Sequence, residues 1–316
     1  MNVITPSILH FEPIDLCHRE RYLALASGRY RDADRAFANL YIWNRTYRQE
    51  IAFFDSGDAH FAVIHFQTDG SPHRYLFPVG QGSLSCVIDT MTAQAALRGE
   101  PLMLDGVTEN EVNALNAAFP DRFSAIEERD WADYLYDAAS LSTLAGKKLH
   151  AKRNHINAFT ATHHWMLHPL SVDRFDQCRT VLEAWRAEHP ADSVQSECIA
   201  IERAFQAYDA LELEGAVLTV DDAPVAFTLG SMLTEDTLCV HVEKALSDFG
   251  GAYPVINREF VRMMHQKHPA LTTVNREDDM GLENLRRAKM SYRPSHLLTK
   301  YRILDTFTKT TNGTRL

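Results

Sequence analysis

Long apolar runs are missing from this chain of 316 residues. A membrane-spanning helix needs a run of about 18 or more apolar residues, and no such run occurs, so no transmembrane segment is expected. The stretch from Met1 to His10 lacks the basic and then apolar pattern of a secretory signal peptide. The sequence therefore predicts a cytoplasmic protein.

Cysteine is scarce, and the 32 Lys and Arg residues are fewer than the 42 Asp and Glu residues. The five cysteines are scattered and no two have the spacing of metal ligands, so free thiols in a reducing compartment are expected. None of the fifteen histidines lies in a His-x-x-x-His pair with a nearby acid, and no metal site is predicted. A formal net charge of −10 disfavours broad, nonspecific nucleic-acid binding but remains compatible with a local basic groove.

The order of predicted elements occurs twice along the chain. Each half reads as a strand, two helices, three meandering strands, a helix, a strand, a helix and a last strand. At a constant shift of 170 residues, Gly80 aligns with Gly250 and Asp105 with Asn275. We infer a duplication and predict an α/β (α+β) fold of two tandem domains, residues 1–145 and 146–316. Each domain is expected to hold a mixed, mostly antiparallel sheet flanked by helices.

Several local predictions can be tested against a structure. Turn residues predict a hairpin about Asp221 and Asp222, and single strands are predicted at residues 74–79 and 296–304. Helical spacing predicts helices at residues 109–118 and 253–267.

A basic helix is predicted at residues 147–160, where the two halves join. Leu149, Ile156 and Phe159 share one face at 3.6 residues per turn, so this face can be buried. The cations of this stretch, which could hold the phosphates of a polyanion, are Lys147, Lys148, Lys152 and Arg153. From composition alone, a solvated basic face on a linker helix is the simpler interpretation.

The element order resembles the acyl-CoA N-acyltransferase (GNAT) fold. In that family a helix presents free backbone N–H groups to a pyrophosphate. Its loop there reads Arg or Gln, two residues, Gly, one residue, then Gly or Ala. The corresponding loop, residues 247–252, keeps Gly250 and Gly251 but has no Arg or Gln, and Asp248 would repel phosphate. The resemblance implies acyl-CoA as a donor, whereas the altered loop argues against conventional binding.

Motifs spread over most of the chain are similar to those of the DUF2156 family. They are the basic stretch 146–159, His241-x-Glu243-Lys244-Ala245, Asn275-Arg276-Glu277-Asp278, Leu285-Arg286-x-Ala288-Lys289 and Ser291-Tyr292-x-Pro294. This family is related to the C-terminal domain of phosphatidylglycerol lysyltransferase and to Fem-type aminoacyl-tRNA-dependent transferases. The resemblance implies transfer of an acyl or aminoacyl group, from acyl-CoA or aminoacyl-tRNA, to an amine or hydroxyl of a small-molecule, lipid or peptide acceptor. Beyond the donor substrate, no cofactor is expected.

The candidate site residues concentrate in the second half. We predict three catalytic groups: His241 and Glu243, which alternate along one strand, and Tyr292 as a general acid. The competing explanations are an internal salt bridge with Arg276 or Lys289, and a half-buried core position for the tyrosine.

Two further sets of residues complete the predicted site. The predicted donor- or phosphate-binding residues are Lys147, Lys148, Lys152, Arg153, Gly250, Gly251, Arg286 and Lys289. The predicted substrate cleft consists of Tyr253, Asn257, Asn275, Glu277 and Asp278, because α/β proteins place ligands at the carboxyl ends of strands. For Asp278, helix capping alone is the simpler explanation, and packing is the competing explanation for Tyr253 and Asn257.

Three functions are compatible with these observations. The leading hypothesis is an acyl- or aminoacyl-transferase whose second half carries the site, with the first half as a structural partner. The alternatives are an acyl-CoA-dependent N-acetyltransferase and a non-catalytic module that binds a nucleotide or RNA through the basic helix.

Overall fold

The computed structural model describes residues 9–68, 70–189 and 192–306. They form two compact units. Unit one contains the residues up to 29, residues 43–132 and the residues from 299 on, and unit two contains residues 30–42 and 133–298. In the described part of the chain, no helix combines the length and the apolar character that crossing a bilayer requires.

Strands and short-to-medium helices alternate along the chain. The strands are β1 (Glu12–Pro13), β2 (Glu50–Ser56), β3 (Ala59–Phe66), β4 (Arg74–Leu76), β5 (Val79–Gln81), β6 (Met103–Thr108), β7 (Phe123–Glu127), β8 (Asp133–Asp137), β9 (Trp165–Pro169), β10 (Glu214–Val220), β11 (Ala223–Thr234), β12 (Thr237–Ala245), β13 (Thr273–Asn275), β14 (His296–Leu298) and β15 (Lys300–Asp305). The helices are α1 (Arg19–Ala26), α2 (Phe37–Ile42), α3 (Asn44–Tyr47), α4 (Leu84–Ala96), α5 (Glu109–Ala118), α6 (Ala138–Thr143), α7 (His150–Thr162), α8 (Phe175–Glu188), α9 (Asp192–Gln206), α10 (Ala252–Lys267) and α11 (Glu283–Met290).

Each unit is organised around one mixed sheet. The strand order is β1-β2-β3-β4-β6-β15-β7 in unit one, where β5 also pairs with β3, and β14-β8-β13-β12-β11-β10-β9 in unit two. One pair in each sheet is parallel, β4 with β6 and β12 with β13, and the other described pairs are antiparallel. The predicted α/β class, with two mixed and mostly antiparallel sheets flanked by helices, is confirmed.

The internal repeat is visible in the two parallel pairs. In unit one, Leu104 and Asp105 of β6 pair with β4. In unit two, Val274 and Asn275 of β13 pair with β12. Leu104 and Val274 are 170 residues apart, and so are Asp105 and Asn275. The repeated residues therefore occupy the same place in the two sheets.

The last strand of each half lies in the sheet of the other half. Strand β8 comes before residue 145 but pairs with β13 and β14 in unit two, and β15 comes near the end of the chain but pairs with β6 and β7 in unit one. The limits of the compact units therefore do not coincide with the predicted boundary between residues 145 and 146.

Most local predictions agree with the structure. Helix α5 has the predicted bounds and α10 begins one residue earlier than predicted. Asp221 and Asp222 form the β10–β11 turn, both with positive φ (47° and 66°), as a tight hairpin turn requires. Helix α10 buries Val255, Ile256 and further apolar residues against the sheet of unit two, which gives this helix a fixed position.

Two predictions of a single strand are wrong, because each of the two segments forms two separate strands. Residues 74–79 form β4 and β5, since Pro78 has no N–H to continue a ladder. β4 then pairs with β6, while β5 pairs with β3. Residues 296–304 divide at Thr299 into β14 and β15, which belong to different sheets. Strand β7 was not predicted at all.

Candidate functional site

The site begins where the parallel strands of unit two part. The ladder between β12 and β13 ends at the pair Cys239 and Asn275, although β12 continues to Ala245. After β13 the chain turns away, because Arg276 N donates to Tyr134 O at 3.0 Å and Tyr134 N donates to Glu277 O at 3.1 Å. Side chains from β12, the loop after β13, α10, α7 and the turn after α11 meet beside this divergence. We refer to Glu243, Arg276, Asn257, Tyr292 and Lys152 as the polar cluster.

An ion pair forms the centre of the polar cluster. Arg276 Nη2 lies 2.9 Å from Glu243 Oε1, and Asn257 Nδ2 donates to Glu243 Oε2 at 2.9 Å. Asn257 is buried, and the two charged side chains are only 10% and 12% exposed. The internal salt bridge with Arg276, which the sequence left as an alternative, is therefore present.

Two cations lie against the ring of Tyr292. Lys152 Nζ is 4.0 Å and the Arg276 guanidinium carbon is 4.8 Å from the ring centroid. Burial, and then the positive charge of Arg276, lower the pKa of Lys152. Burial raises the pKa of Tyr292, so its hydroxyl keeps its proton at neutral pH. The polar cluster thus contains two cations and one carboxylate, and it favours a further negative charge.

Two buried polar atoms of the polar cluster are unmatched. Arg276 Nη1 and Asn257 Oδ1 have no hydrogen-bond partner among the described protein atoms. Buried polar groups in folded proteins almost always have a partner, so an unmatched donor and acceptor in one cluster point to a small polar group bound there.

His241 and Glu243 lie on one strand but contact different partners. His241 Nδ1 lies 2.9 Å from Glu277 Oε1, and His241 Nε2 lies 2.8 Å from Ser231 Oγ. Asn39 Nδ2 also donates to Glu277 Oε1, at 2.8 Å. The structure therefore separates the three predicted catalytic residues: Glu243 and Tyr292 belong to the polar cluster, whereas His241 does not.

Cys239 lies beside His241 and Glu277, and these three side chains form a second group, apart from the polar cluster. Cys239 Sγ lies 3.7 Å from Glu277 Oε1. The ligand atoms of Cys239, His241 and Glu277 all lie within 4.8 Å of one another, so these three side chains could hold a metal ion. Sequence spacing did not indicate this group, because Glu277 is distant from the other two along the chain.

Most of the predicted phosphate-binding cations are used inside the protein. Arg286 makes two hydrogen bonds of 2.9 Å to Asp279, from Nε to Oδ2 and from Nη2 to Oδ1. The buried Lys289 Nζ donates to the carbonyl oxygens of Arg276, at 2.6 Å, and Asp278. Both residues thereby hold the loop that carries Arg276 and Glu277.

The cations of the basic helix have three different roles. Lys152 points to Tyr292 in the polar cluster. Arg153 Nη1 donates to the carbonyl oxygens of Leu144 and Gly146, the latter at 2.8 Å, and so holds the turn before α7. Lys147 and Lys148 are exposed at the start of the same segment and remain accessible to a polyanion.

The glycine loop before α10 packs against α7. Gly251 has φ +103°, and a Cβ atom at this position would lie 2.7 Å from His155 O. A Cβ at Gly250 would meet nothing within 4 Å. The beginning of α10 is therefore partly covered by another helix, at the place where the GNAT resemblance implies a pyrophosphate.

The remaining predicted cleft residues are dispersed. Asn275 is buried, and its Nδ2 donates to Arg31 O at 2.8 Å and to Asp133 Oδ2 at 2.9 Å. Asp278 Oδ1 accepts from Met280 N at 3.0 Å, which is a local turn contact. Tyr253 is 38% exposed on the first turn of α10. Of the five, only Asn257 belongs to the polar cluster.

Comparison with known proteins gives one family. A family model described as phosphatidylglycerol lysyltransferase, C-terminal, matches residues 27–304. An uncharacterized protein of Mycoplasmoides gallisepticum is 25% identical in an alignment of 177 positions that covers 54% of this chain and 54% of that protein. The chain thus spans about half the length of this curated relative.

Solved structures agree with this family. A conserved protein of unknown function from Bacteroides thetaiotaomicron is 34% identical with a TM-score of 0.87, over 95% of this chain and 100% of that one. The C-terminal domain (DUF2156) of a putative lysylphosphatidylglycerol synthetase from Agrobacterium fabrum is 16% identical with a TM-score of 0.64, over 92% of each chain.

More distant structures share the fold alone. They are FemX, with 8% identity, a TM-score of 0.59 and coverage of 93% and 97%, and a tandem GNAT protein of the clavulanic acid pathway, with 12% identity, a TM-score of 0.53 and coverage of 94% and 98%. The tandem GNAT-like fold predicted from the element order is confirmed.

Proposed function

Since this chain belongs to the phosphatidylglycerol lysyltransferase C-terminal family, we propose that it transfers an acyl or aminoacyl group and that the polar cluster of unit two is the reaction site. One observation carries the proposal. Lys152 and Arg276 face the single carboxylate of Glu243 in a poorly solvated position, and Arg276 Nη1 is an unmatched donor. Acyl transfer develops a negative charge on the carbonyl oxygen, which such a site stabilises.

The residues of the polar cluster suit the proton transfers of this reaction. The acceptor nitrogen or oxygen forms a bond to the carbonyl carbon, and the bond from that carbon to the donor oxygen or sulfur breaks. The attacking atom loses a proton to Glu243, and the leaving atom gains one from the Tyr292 hydroxyl, which burial keeps protonated. Arg276 and Lys152 hold the carbonyl oxygen while it is negative.

Two observations favour an aminoacyl-tRNA over acyl-CoA as the donor. The loop before α10 lacks the Arg or Gln of the GNAT signature, and the His155 carbonyl of α7 lies against Gly251. Lys147 and Lys148 at the start of the basic helix are exposed and can contact the phosphates of an RNA. The acceptor class is an amine or a hydroxyl, carried by a lipid, a peptide or a small molecule.

Donor and acceptor can be tested in one assay. We expect the protein to release labelled lysine from lysyl-tRNA only when an acceptor is present, and we would test phosphatidylglycerol vesicles and short peptides with free amines. Per folded molecule, as determined by urea denaturation, Glu243→Gln and Arg276→Lys should each lower the transfer rate at least about tenfold, the effect of losing roughly 1.4 kcal/mol of transition-state stabilisation. Arg287→Ala is the matched control, because Arg287 is an exposed cation on α11 outside the polar cluster.

The assay separates the alternatives. Transfer from acetyl-CoA and none from lysyl-tRNA would replace this donor with that of an N-acetyltransferase. Transfer that survives Glu243→Gln and Arg276→Lys at the wild-type rate would remove the reaction from the polar cluster. Binding of uncharged tRNA with no transfer to any acceptor would indicate a non-catalytic RNA-binding module.

A further inference from the structure

A second group of reactive side chains lies outside the polar cluster. Cys239 and His241 project from β12, and Glu277 projects from the loop after β13. Thiolate, imidazole and carboxylate are the three side-chain ligand types that Zn²⁺ binds in proteins. We propose that Cys239, His241 and Glu277 bind one divalent metal ion of the zinc class, with the fourth coordination position left to water or to a substrate.

Two of the three distances between the ligand atoms are close to those around a tetrahedral ion. Zinc bond lengths of about 2.0 to 2.3 Å place a sulfur and an oxygen ligand about 3.6 Å apart, and a nitrogen and an oxygen ligand about 3.4 Å apart. The structure has 3.7 Å between Cys239 Sγ and Glu277 Oε1, and 2.9 Å between His241 Nδ1 and the same oxygen. Binding therefore requires the imidazole and the carboxylate to separate by about 0.5 Å, with the thiolate sulfur, which lies within 4.8 Å of the imidazole, about 3.6 Å from it in the complex.

The backbone holds the three ligands in place. Cys239 and His241 are two residues apart on one strand, so their side chains emerge on the same face. Cys239 also pairs with Asn275 across the parallel ladder, and Glu277 N donates to Asn275 Oδ1 at 2.7 Å. The loop ligand is thus tied to the strand that carries the other two, which is the preorganisation that a metal site needs.

Outer contacts orient two of the ligands. Ser231 Oγ lies 2.8 Å from His241 Nε2, and Asn39 Nδ2 donates to Glu277 Oε1 at 2.8 Å. Metal-binding histidines almost always donate their second ring N–H to a hydrogen-bond acceptor, and the Ser231 hydroxyl oxygen can be that acceptor here. In the metal complex, His241 keeps its proton on Nε2 and donates it to Ser231 Oγ, which leaves the Nδ1 lone pair for the metal.

The charges of the ion and its three ligands cancel, and the buried Lys289 is a further cation that acts on Glu277. Binding releases the thiol proton of Cys239 to solvent, so a thiolate and the Glu277 carboxylate compensate a divalent ion, while the imidazole is neutral. This matters because Cys239 is fully buried and the side chain of His241 is only 1% exposed. The side chain of Glu277 is 24% exposed, so an ion and a fourth ligand can enter from its side.

Cobalt(II) is the appropriate probe because a thiolate ligand gives it a charge-transfer absorption band in the near ultraviolet. We expect protein treated with a chelator and then desalted to bind one Co²⁺ per chain with such a band, and Zn²⁺ to displace it. Cys239→Ser should abolish the band, whereas the control Cys17→Ser, which removes an exposed thiol in unit one, should retain it. Ser231→Ala should weaken affinity for Co²⁺ about 10- to 100-fold, the usual effect of losing an outer contact.

A measurement on the wild-type protein alone covers the case in which Cys239→Ser fails to fold. Calorimetric titration with Zn²⁺ in buffers of different ionisation enthalpy should show release of about one proton per ion near neutral pH. A cobalt band that persists in folded Cys239→Ser would overturn the proposal, and so would a wild-type protein that takes up neither ion. Both experiments omit donor and acceptor, so their outcome is independent of the proposed transferase activity.

Discussion

Glu243 and Arg276 form an ion pair across the gap between the parting strands β12 and β13. Their atoms Oε1 and Nη2 are 2.9 Å apart, and the two side chains are 10% and 12% exposed. The ladder between β12 and β13 does not bring these two residues together, because its last pair is Cys239 and Asn275. The ion pair is thus possible only because β12 and β13 separate, and it holds Arg276 in the polar cluster.

Removing one partner of this pair should destabilise unit two strongly. Glu243→Gln leaves the buried guanidinium of Arg276 without its counter-charge, and we expect the free energy of unfolding to fall by about 3 to 5 kcal/mol. The double variant Glu243→Met with Arg276→Met removes both charges and should recover a large part of that loss. Urea denaturation of the three proteins measures both changes. Equal losses in the single and double variants would mean that the pair has no special role in stability.

The lowered pKa of Lys152 should appear as a pH dependence of stability. Burial and the charge of Arg276 place this pKa below 10.5, the ordinary value of lysine. Between the two values the unfolded chain binds the proton and the folded chain does not, so the free energy of unfolding should rise with pH across this window.

Lys152→Met tests this expectation because it removes the titrating group. Urea denaturation of both proteins from neutral pH to about 10.5 measures the difference, which should grow in favour of the wild type as pH rises. Burial raises the pKa of Tyr292, so this residue lowers the stability of both proteins as pH approaches 10, and its contribution cancels in the difference between them. Parallel pH profiles of the two proteins would contradict the shift.

The contact between α7 and the glycine loop predicts a difference between two neighbouring glycines. Gly251→Ala places a Cβ 2.7 Å from His155 O at a φ of +103°. We expect a loss of about 1 to 3 kcal/mol in the free energy of unfolding. Gly250→Ala meets open space and should change it by less than about 0.5 kcal/mol. Thermal or urea denaturation ranks the two variants, and an equal cost at both positions would show that α7 does not press on this loop.

Because the cations of the basic helix have different roles, we expect their substitutions to affect RNA binding differently. Lys147→Ala with Lys148→Ala should weaken tRNA binding and reduce the slope of log K against log salt by about one unit per lost phosphate contact. Arg153→Ala should instead lower stability, because Arg153 holds the carbonyls of Leu144 and Gly146.

A charge-matched control distinguishes local contacts from net charge in that experiment. Arg287→Ala with Lys267→Ala also removes two exposed cations of unit two, and it should leave the salt slope unchanged. Binding isotherms at several salt concentrations supply the slopes. A slope that falls equally in both double variants would assign RNA binding to overall charge rather than to the start of the basic helix.

Local pattern was sufficient for most of the secondary structure. Helix α5 has its predicted bounds because its capping residues and apolar spacing agree, and the β10–β11 hairpin follows from two aspartates that tolerate positive φ. The exchange of β8 and β15 between the sheets could not be predicted, because the alternation within a strand indicates which face is buried and not which strand lies beside it. The group of Cys239, His241 and Glu277 could not be predicted for a related reason. Glu277 is far from His241 in sequence, and only the tertiary structure brings them together.

By itself, the sequence determined the class of fold, the repeat, the family resemblance and the presence of a basic helix, because these depend on residue type and spacing. The tertiary structure decided what each polar residue does. Lys152 points into the polar cluster while its neighbour Arg153 closes a turn, and Arg286 and Lys289 hold a loop. The physical reason is that a charged side chain takes its role from the groups within a few ångströms, and in the polar cluster those groups come from distant parts of the chain.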